Sequence, residues 1–243
     1  MKAISEHLGV DAKLVTDVAF GEVDCFEAFH EYRGYGLFHA DEKVVETARK
    51  DFYRKNSHQW SKDKEIEIRK FFEIDHGHIQ NTVFNIHRKI NFTECPLYLP
   101  EILNAFPAIS MKVDKKLQLN QDNPIQYHIS GDKIHISHPE KFEMKPYLRF
   151  KIAKALAYYF LSDPPGKLFA EDQSLEHYMH YVNEIRTNVF AINLLMPKPM
   201  VMAEVDKLPA TKDLVLQLSE VFWVSRNLAN IRLSQIIGSF SNH

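Results

Sequence analysis

The stretch RFKIAKALAYYFL, residues 149–161, is apolar on nearly every side of the helix that its residue types favour, with Lys154 in its middle and Arg149 and Lys151 near its start. A helix apolar all round has no face to give to water, so the rest of the chain must cover it. The 243 residues, 45% hydrophobic and 26% charged, suffice for one large domain or two smaller ones. The run ends at DPPG, residues 163–166, where two prolines forbid further helix.

Helical periodicity resumes at about 175 and runs to 196, where Pro197 stops it; two more helices are expected over 212–222 and 225–237. Upstream, ECPLYLPEILNAFP places three prolines around one short helix and opens a new unit near residue 94. The first ninety residues or so read as helical. Charges of both signs alternate with apolar residues over 41–54 and 61–73, as on amphipathic helices with a solvent-facing side. DHGHIQ, with His76 and His78 flanking Gly77, is expected to be a connecting loop rather than a ligand pair. Near the start, EHLGVD has either the form of a helix-turn-helix pivoting at Gly9 or that of an ordinary two-helix corner.

One segment alternates with period two. In PIQYHISGDKIHIS, Ile125, Tyr127 and Ile129 share one face, Gln126 and His128 the other; a Ser-Gly-Asp-Lys turn follows, and Ile134 and Ile136 alternate with His135. This is a hairpin with one wet face. His128, His135 and His138 either stand there as solvated side chains or converge as a metal site. The fold class that follows is α+β, predominantly helical, with a small antiparallel sheet.

A formal charge of −2 gives no bulk attraction to nucleic acid or anionic lipid. Eight glycines include no phosphate-cradling loop. Cys25 and Cys95 lie far apart without a CxxC pair, so free thiols of a cytoplasmic protein are expected. Neither a signal-like N-terminus nor a bilayer-length apolar stretch is visible, so no membrane partner is expected.

The order hairpin, RFKIAKALAYY, NEIRTNVFAINLLMP resembles the ImmA/IrrE family of zinc metallopeptidases, with NVFAINLLMP as its most specific piece. In that family the first helix carries His-Glu-x-x-His and the second an acidic pair. The resemblance covers residues ~94 to 240 and includes LSEVFWVSRNLANIRLSQIIG, similar to the helix-turn-helix-like segment that often follows in such proteins. It implies a small sheet packed on a zincin-like helical core. The expected organisation is a helical region 1–93, a peptidase-like domain 94–204 and helix-turn-helix-like helices 205–243.

Zinc peptidase chemistry needs two imidazoles one helical turn apart and a glutamate to act on the metal-bound water. By the resemblance, Lys154 stands at the first ligand, Ala155 at the base and Tyr158 at the second ligand. An ammonium has no lone pair to give, alanine carries no proton, and a neutral phenol is a poor donor to zinc. The family's acidic pair falls on Glu184 and Arg186, of which only Glu184 could bind a cation. No catalytic residue and no cofactor is therefore expected. Lys154 either takes the metal's place and pairs with Glu184, with Tyr158 nearby, or snorkels to a cleft mouth. A relocated zinc on His177, His180 and Glu184, at i, i+3 and i+7, is the alternative that would keep an enzyme.

The leading reading is a catalytically inactive regulatory protein that binds a protein partner. By the resemblance, that partner is a helix-turn-helix repressor, a protease, or a phage or host defence factor. A DNA-binding regulator is the rival. Ser225 would cap the last helix, with Arg226, Asn227, Asn230 and Arg232 on or beside its outer face and Trp223 at the turn. With only two arginines as a phosphate footprint, packing is the expected role of these helices.

Overall fold

Pro146 occupies the first turn of the central helix, where its missing N–H costs nothing, and ten of the next twelve residues are buried. The computed structural model describes residues 15–16, 19, 38–57, 60–117, 125–140, 144–161, 173–207 and 213–240, with backbone alone for 38–45, 48, 173–181 and 238–240. In chain order these residues form α1 (Phe38–Asn56), α2 (Lys62–Phe72), α3 (His76–Lys89), α4 (Leu99–Ala105), β1 (Ile109–Val113), β2 (Gln126–Ser130), β3 (Lys133–His138), α5 (Pro146–Phe160), α6 (Gln173–Leu195), α7 (Lys198–Val205), α8 (Leu214–Phe222) and α9 (Arg226–Phe240). The fold is mostly helical with one small sheet. EHLGVD and Cys25 lie outside the described residues.

Local chemistry sets most helix ends. Ser61 caps α2 by accepting from the Lys64 amide (3.2 Å), and acidic residues in the first turn and basic ones in the last suit the helix dipole. Asp75 caps α3 by accepting from the His78 amide (2.8 Å). His76, Gly77 and His78 therefore form the first turn of a helix, not the expected loop. The cap outweighs the weak helix preference of glycine. Ser225 caps α9 by accepting from the Leu228 amide (3.1 Å), as its position implied.

The sheet differs from the expected antiparallel hairpin. Its order is β1-β3-β2, with β2 antiparallel and β1 parallel to β3. Ile109, Met111 and Val113 of β1 do alternate with Ser110 and Lys112, but five residues are too few to announce a parallel partner beyond another strand. In the hairpin, Gly131 has φ 60°, the positive angle that a type II′ turn requires at its first central position.

One buried cluster runs from Phe52 to Ile236 around α5 and α6, the pair of helices most closely packed together. The sheet lies against α5, while α1 and α3 pack on α6. The amphipathic helices α1 and α2 contribute Phe52, Ile68, Phe71 and Phe72, all buried, and Trp60 stacks on Phe52 with ring centroids 5.3 Å apart. No described helix is long and apolar enough to cross a membrane.

Two buried arginines fasten the C-terminal helices. Arg149 of α5, 1% exposed, donates to the carbonyls of Phe222 (2.8 Å), Trp223 and Leu97 (2.6 Å), and its guanidinium lies over the Trp223 ring. Trp223 has φ 49° and closes α8 in the left-handed region where glycine is usual; the Arg149 contacts hold it there. Arg232 of α9 donates to Met196 O (2.9 Å) and Asn193 Oδ1 (2.9 Å). It is buried, so it does not lie on the outer face that the recognition-helix reading required.

Two predictions follow from this packing. Arg149→Met strips three carbonyls of their donor and should cost about 3–5 kcal/mol in chemical denaturation, with Arg149→Lys recovering only part because an ammonium cannot fork. His87 donates through Nε2 to Leu194 O (2.9 Å), and burial lowers its pKa from 6.5 although that bond pulls the other way. The unfolded chain then takes up the proton first. Its contribution to stability is complete above pH 6.5 and declines as pH falls below that value toward the depressed one. Melting curves from pH 8 to 5 should show a shallower acid decline for His87→Gln than for the wild type.

Candidate functional site

Lys154 and Tyr158 lie one turn apart on α5, so both project from the same face. On α6 the matching face carries Glu184, Thr187 and Asn188 by the same spacing. The Lys154 ammonium donates to Glu184 Oε2 in a very short ion pair and stands 5.9 Å from the Phe150 ring centroid. Lys154 is 7% exposed, whereas the Glu184 side chain keeps 27% of its surface. The cation is thus the inner partner, not a side chain reaching outward for water.

Tyr158 meets the sheet. Its ring stacks on Tyr127 of β2, with centroids 4.8 Å apart and planes 20° from parallel. Its hydroxyl lies near those of Tyr127 and Thr187. Thr187 in turn donates to the Glu184 carbonyl (3.0 Å). Burial, reinforced by Tyr127 and the Glu184 carboxylate, pushes the Tyr158 phenol far above its ordinary value, and burial raises Tyr127 too. Both phenols stay neutral across the physiological range. Tyr127 was not among the candidate residues. Its sequence signal was only a period-two apolar position, and stacking across elements is not written in that period.

Neither atom of the Asn188 amide has a hydrogen-bond partner, although the residue is 1% exposed. A buried amide so placed carries a desolvation cost, and it leaves an NH2 group and a carbonyl unengaged one helical turn from Glu184 along α6. Arg186 turns away: its guanidinium donates to Glu73 O (3.1 Å), and burial lowers its pKa against the pull of Asp75 and Glu73. Of Glu184 and Arg186, only Glu184 faces Lys154.

The zinc that the resembled family carries does not fit these residues. An ammonium engaged by the Glu184 carboxylate repels a cation, and the adjacent phenol is held neutral. The other candidates do not form a second centre. His128 and His135 pair across β2 and β3, and His135 Nδ1 is bonded to Ser110 Oγ (2.6 Å). His138 falls on the opposite face, with Ile134 and Ile136, so the three histidines do not converge as the metal alternative required. The side chains of His177 and His180 lie outside the described ones. Cys95 is half-buried, its thiol pushed up to about 11 by burial and by Glu204. Among the described residues no group of three His, Cys, Asp or Glu is placed to hold a metal.

No protein-family model, curated protein or solved structure matches this chain. The site is therefore read from its own side chains: a buried ion pair and a stacked tyrosine pair where α5, α6 and β2 meet, and an unengaged amide on α6.

Burial decides which half of the ion pair is costlier to break. Glu184→Gln strands an ammonium that has almost no access to water and should cost about 2–4 kcal/mol. Lys154→Met leaves a carboxylate that still reaches solvent and should cost about 1–2 kcal/mol. The double variant should be more stable than Glu184→Gln alone; three urea titrations decide it.

Proposed function

We propose that this chain is a catalytically silent relative of the ImmA/IrrE metallopeptidases, acting as a regulatory protein that binds a protein partner without cutting it. The observation that carries this reading is the Lys154–Glu184 pair. An ammonium stands at the motif position of the first metal ligand, and the carboxylate at the motif's acidic position neutralises it. Ala155, next in the motif, is buried and has no proton to transfer. The residues of the zinc site have thus been exchanged for a self-contained contact that ties α5 to α6.

The chemistry left on the surface suits recognition. Tyr127 is 40% exposed and Tyr158 partly so, and stacked aromatic rings with polar tips are favoured anchors at protein interfaces. By the resemblance, the partner is a helix-turn-helix repressor or a phage or host defence component. Direct DNA binding is disfavoured by Arg232, because one of the two cations expected on the outer face of α9 is bound to Met196 and Asn193.

Affinity capture with the full chain, followed by intact-mass measurement of whatever is retained, tests the proposal. A helix-turn-helix repressor or defence protein should be recovered and stay full length on prolonged incubation. Tyr158→Ala should weaken its capture about tenfold or more. Cleavage of the captured protein defeats the reading, and so does one zinc per chain that disappears in His177→Ala/His180→Ala protein.

A further inference from the structure

The two edges of the sheet are not alike. β1 forms one edge, and its exposed end carries Lys112, followed by Lys115 and Lys116, the kind of charge that keeps an edge strand from pairing with other chains. β2 forms the other edge. All five of its residues, Gln126-Tyr127-His128-Ile129-Ser130, are exposed, and none is lysine, arginine, proline or a carboxylate. Tyr127 and Ile129 show 40% and 41% of their surface on the same face. Among the described residues nothing pairs with the outer side of this strand.

The direction of its backbone groups follows from the hairpin. Ser130 and Lys133 flank the two-residue turn and so exchange hydrogen bonds; bonded and non-bonded pairs then alternate along the ladder. Tyr127–Ile136 and Ile129–Ile134 are the non-bonded pairs. Ile134 agrees, since its N–H donates across to Ala108 O (2.9 Å) on the β1 side rather than to β2. The N–H and C=O groups of Tyr127 and Ile129 consequently point out of the sheet, toward the edge that no described residue pairs with.

We infer that β2 pairs antiparallel with the β2 of a second copy of this chain, about a twofold axis at His128. In that register Tyr127 of one copy lies opposite Ile129 of the other, and Gln126 opposite Ser130. Both Tyr127–Ile129 pairs bring outward N–H and C=O groups face to face, giving four backbone hydrogen bonds across the axis. Each such pair sets an aromatic against a β-branched side chain, a favoured cross-strand combination, and no like charges of lysine or carboxylate meet. The strand's own side chains thus pair favourably with those of a second copy in a register that also satisfies the outward backbone groups. The product is one continuous six-stranded sheet. The contact is narrow and belongs with weak, reversible interfaces. It does not depend on the peptidase-like reading, because it uses neither Lys154 nor Glu184.

Sedimentation of the full chain from roughly 10 µM to 1 mM tests this, a range suited to a small interface. A concentration-dependent monomer–dimer equilibrium is expected. Ile129→Pro removes an outward N–H that the ladder to β3 does not use, so it should weaken the dimer at least about tenfold with the circular dichroism spectrum unchanged. If that variant misfolds, Ile129→Lys supplies an edge charge instead. Val113→Lys, on the other edge, should leave the dimer as it is. Exchange of the Tyr127 and Ile129 amides should slow as concentration rises. A wild type that stays monomeric throughout, a dimer that survives both Ile129 variants, or amide protection independent of concentration overturns the inference; the last assigns the edge to another segment or a foreign strand.

Discussion

Burying α5 on all sides forces two cations into the interior, and neither can remain there without acceptors. Arg149 and Lys154 lie five residues apart, so they emerge from different faces of the helix and recruit different neighbours. Arg149 gathers the carbonyls of Leu97, Phe222 and Trp223, which brings the proline-rich segment and the end of α8 to one side. Lys154 draws Glu184, which sets how α6 lies along α5. Apolar burial supplies most of the driving force for such a core but has no directional preference. The two charged contacts have a direction, and they select one arrangement of well-packed helices over its neighbours.

The same contacts shape what the site can do. An ion pair with its cation inside and its anion partly wet is a closed electrostatic unit, and it leaves little field for an added metal. The tyrosine stack beside it faces solvent with neutral phenols. Such a surface offers area, shape and hydrogen bonds. The proposed role, binding without cleavage, draws on these features, and the buried Arg232 removes a phosphate contact from the last helix.

Elements whose signals are local were legible in the sequence. The central helix, the long helix ended by Pro197, the hairpin with its glycine turn and the Ser225 cap all depend on residues within a few positions of one another. The misread elements have non-local or competing causes. The DHGHIQ turn looked like a loop because Gly77 hid the capping action of Asp75. β1 was missed because its partner, β3, lies more than twenty residues away and pairs in parallel. Arg232 was placed outward because helical periodicity cannot say that Met196 and Asn193 would be waiting inside.

By itself the sequence determined which side chains are available: Lys154, Ala155 and Tyr158 on one apolar helix, and Glu184 on another. Those identities restrict the available chemistry, because protonation and lone pairs belong to the side chain wherever it lies. Only the tertiary structure decided that Lys154 faces Glu184 rather than water, that Arg186 turns to Glu73, and that Tyr158 stacks on Tyr127. These are contacts between elements some thirty or more residues apart. Which face of one helix meets which face of the next is set by the packing of the whole core, and that information is spread over every residue that fills it.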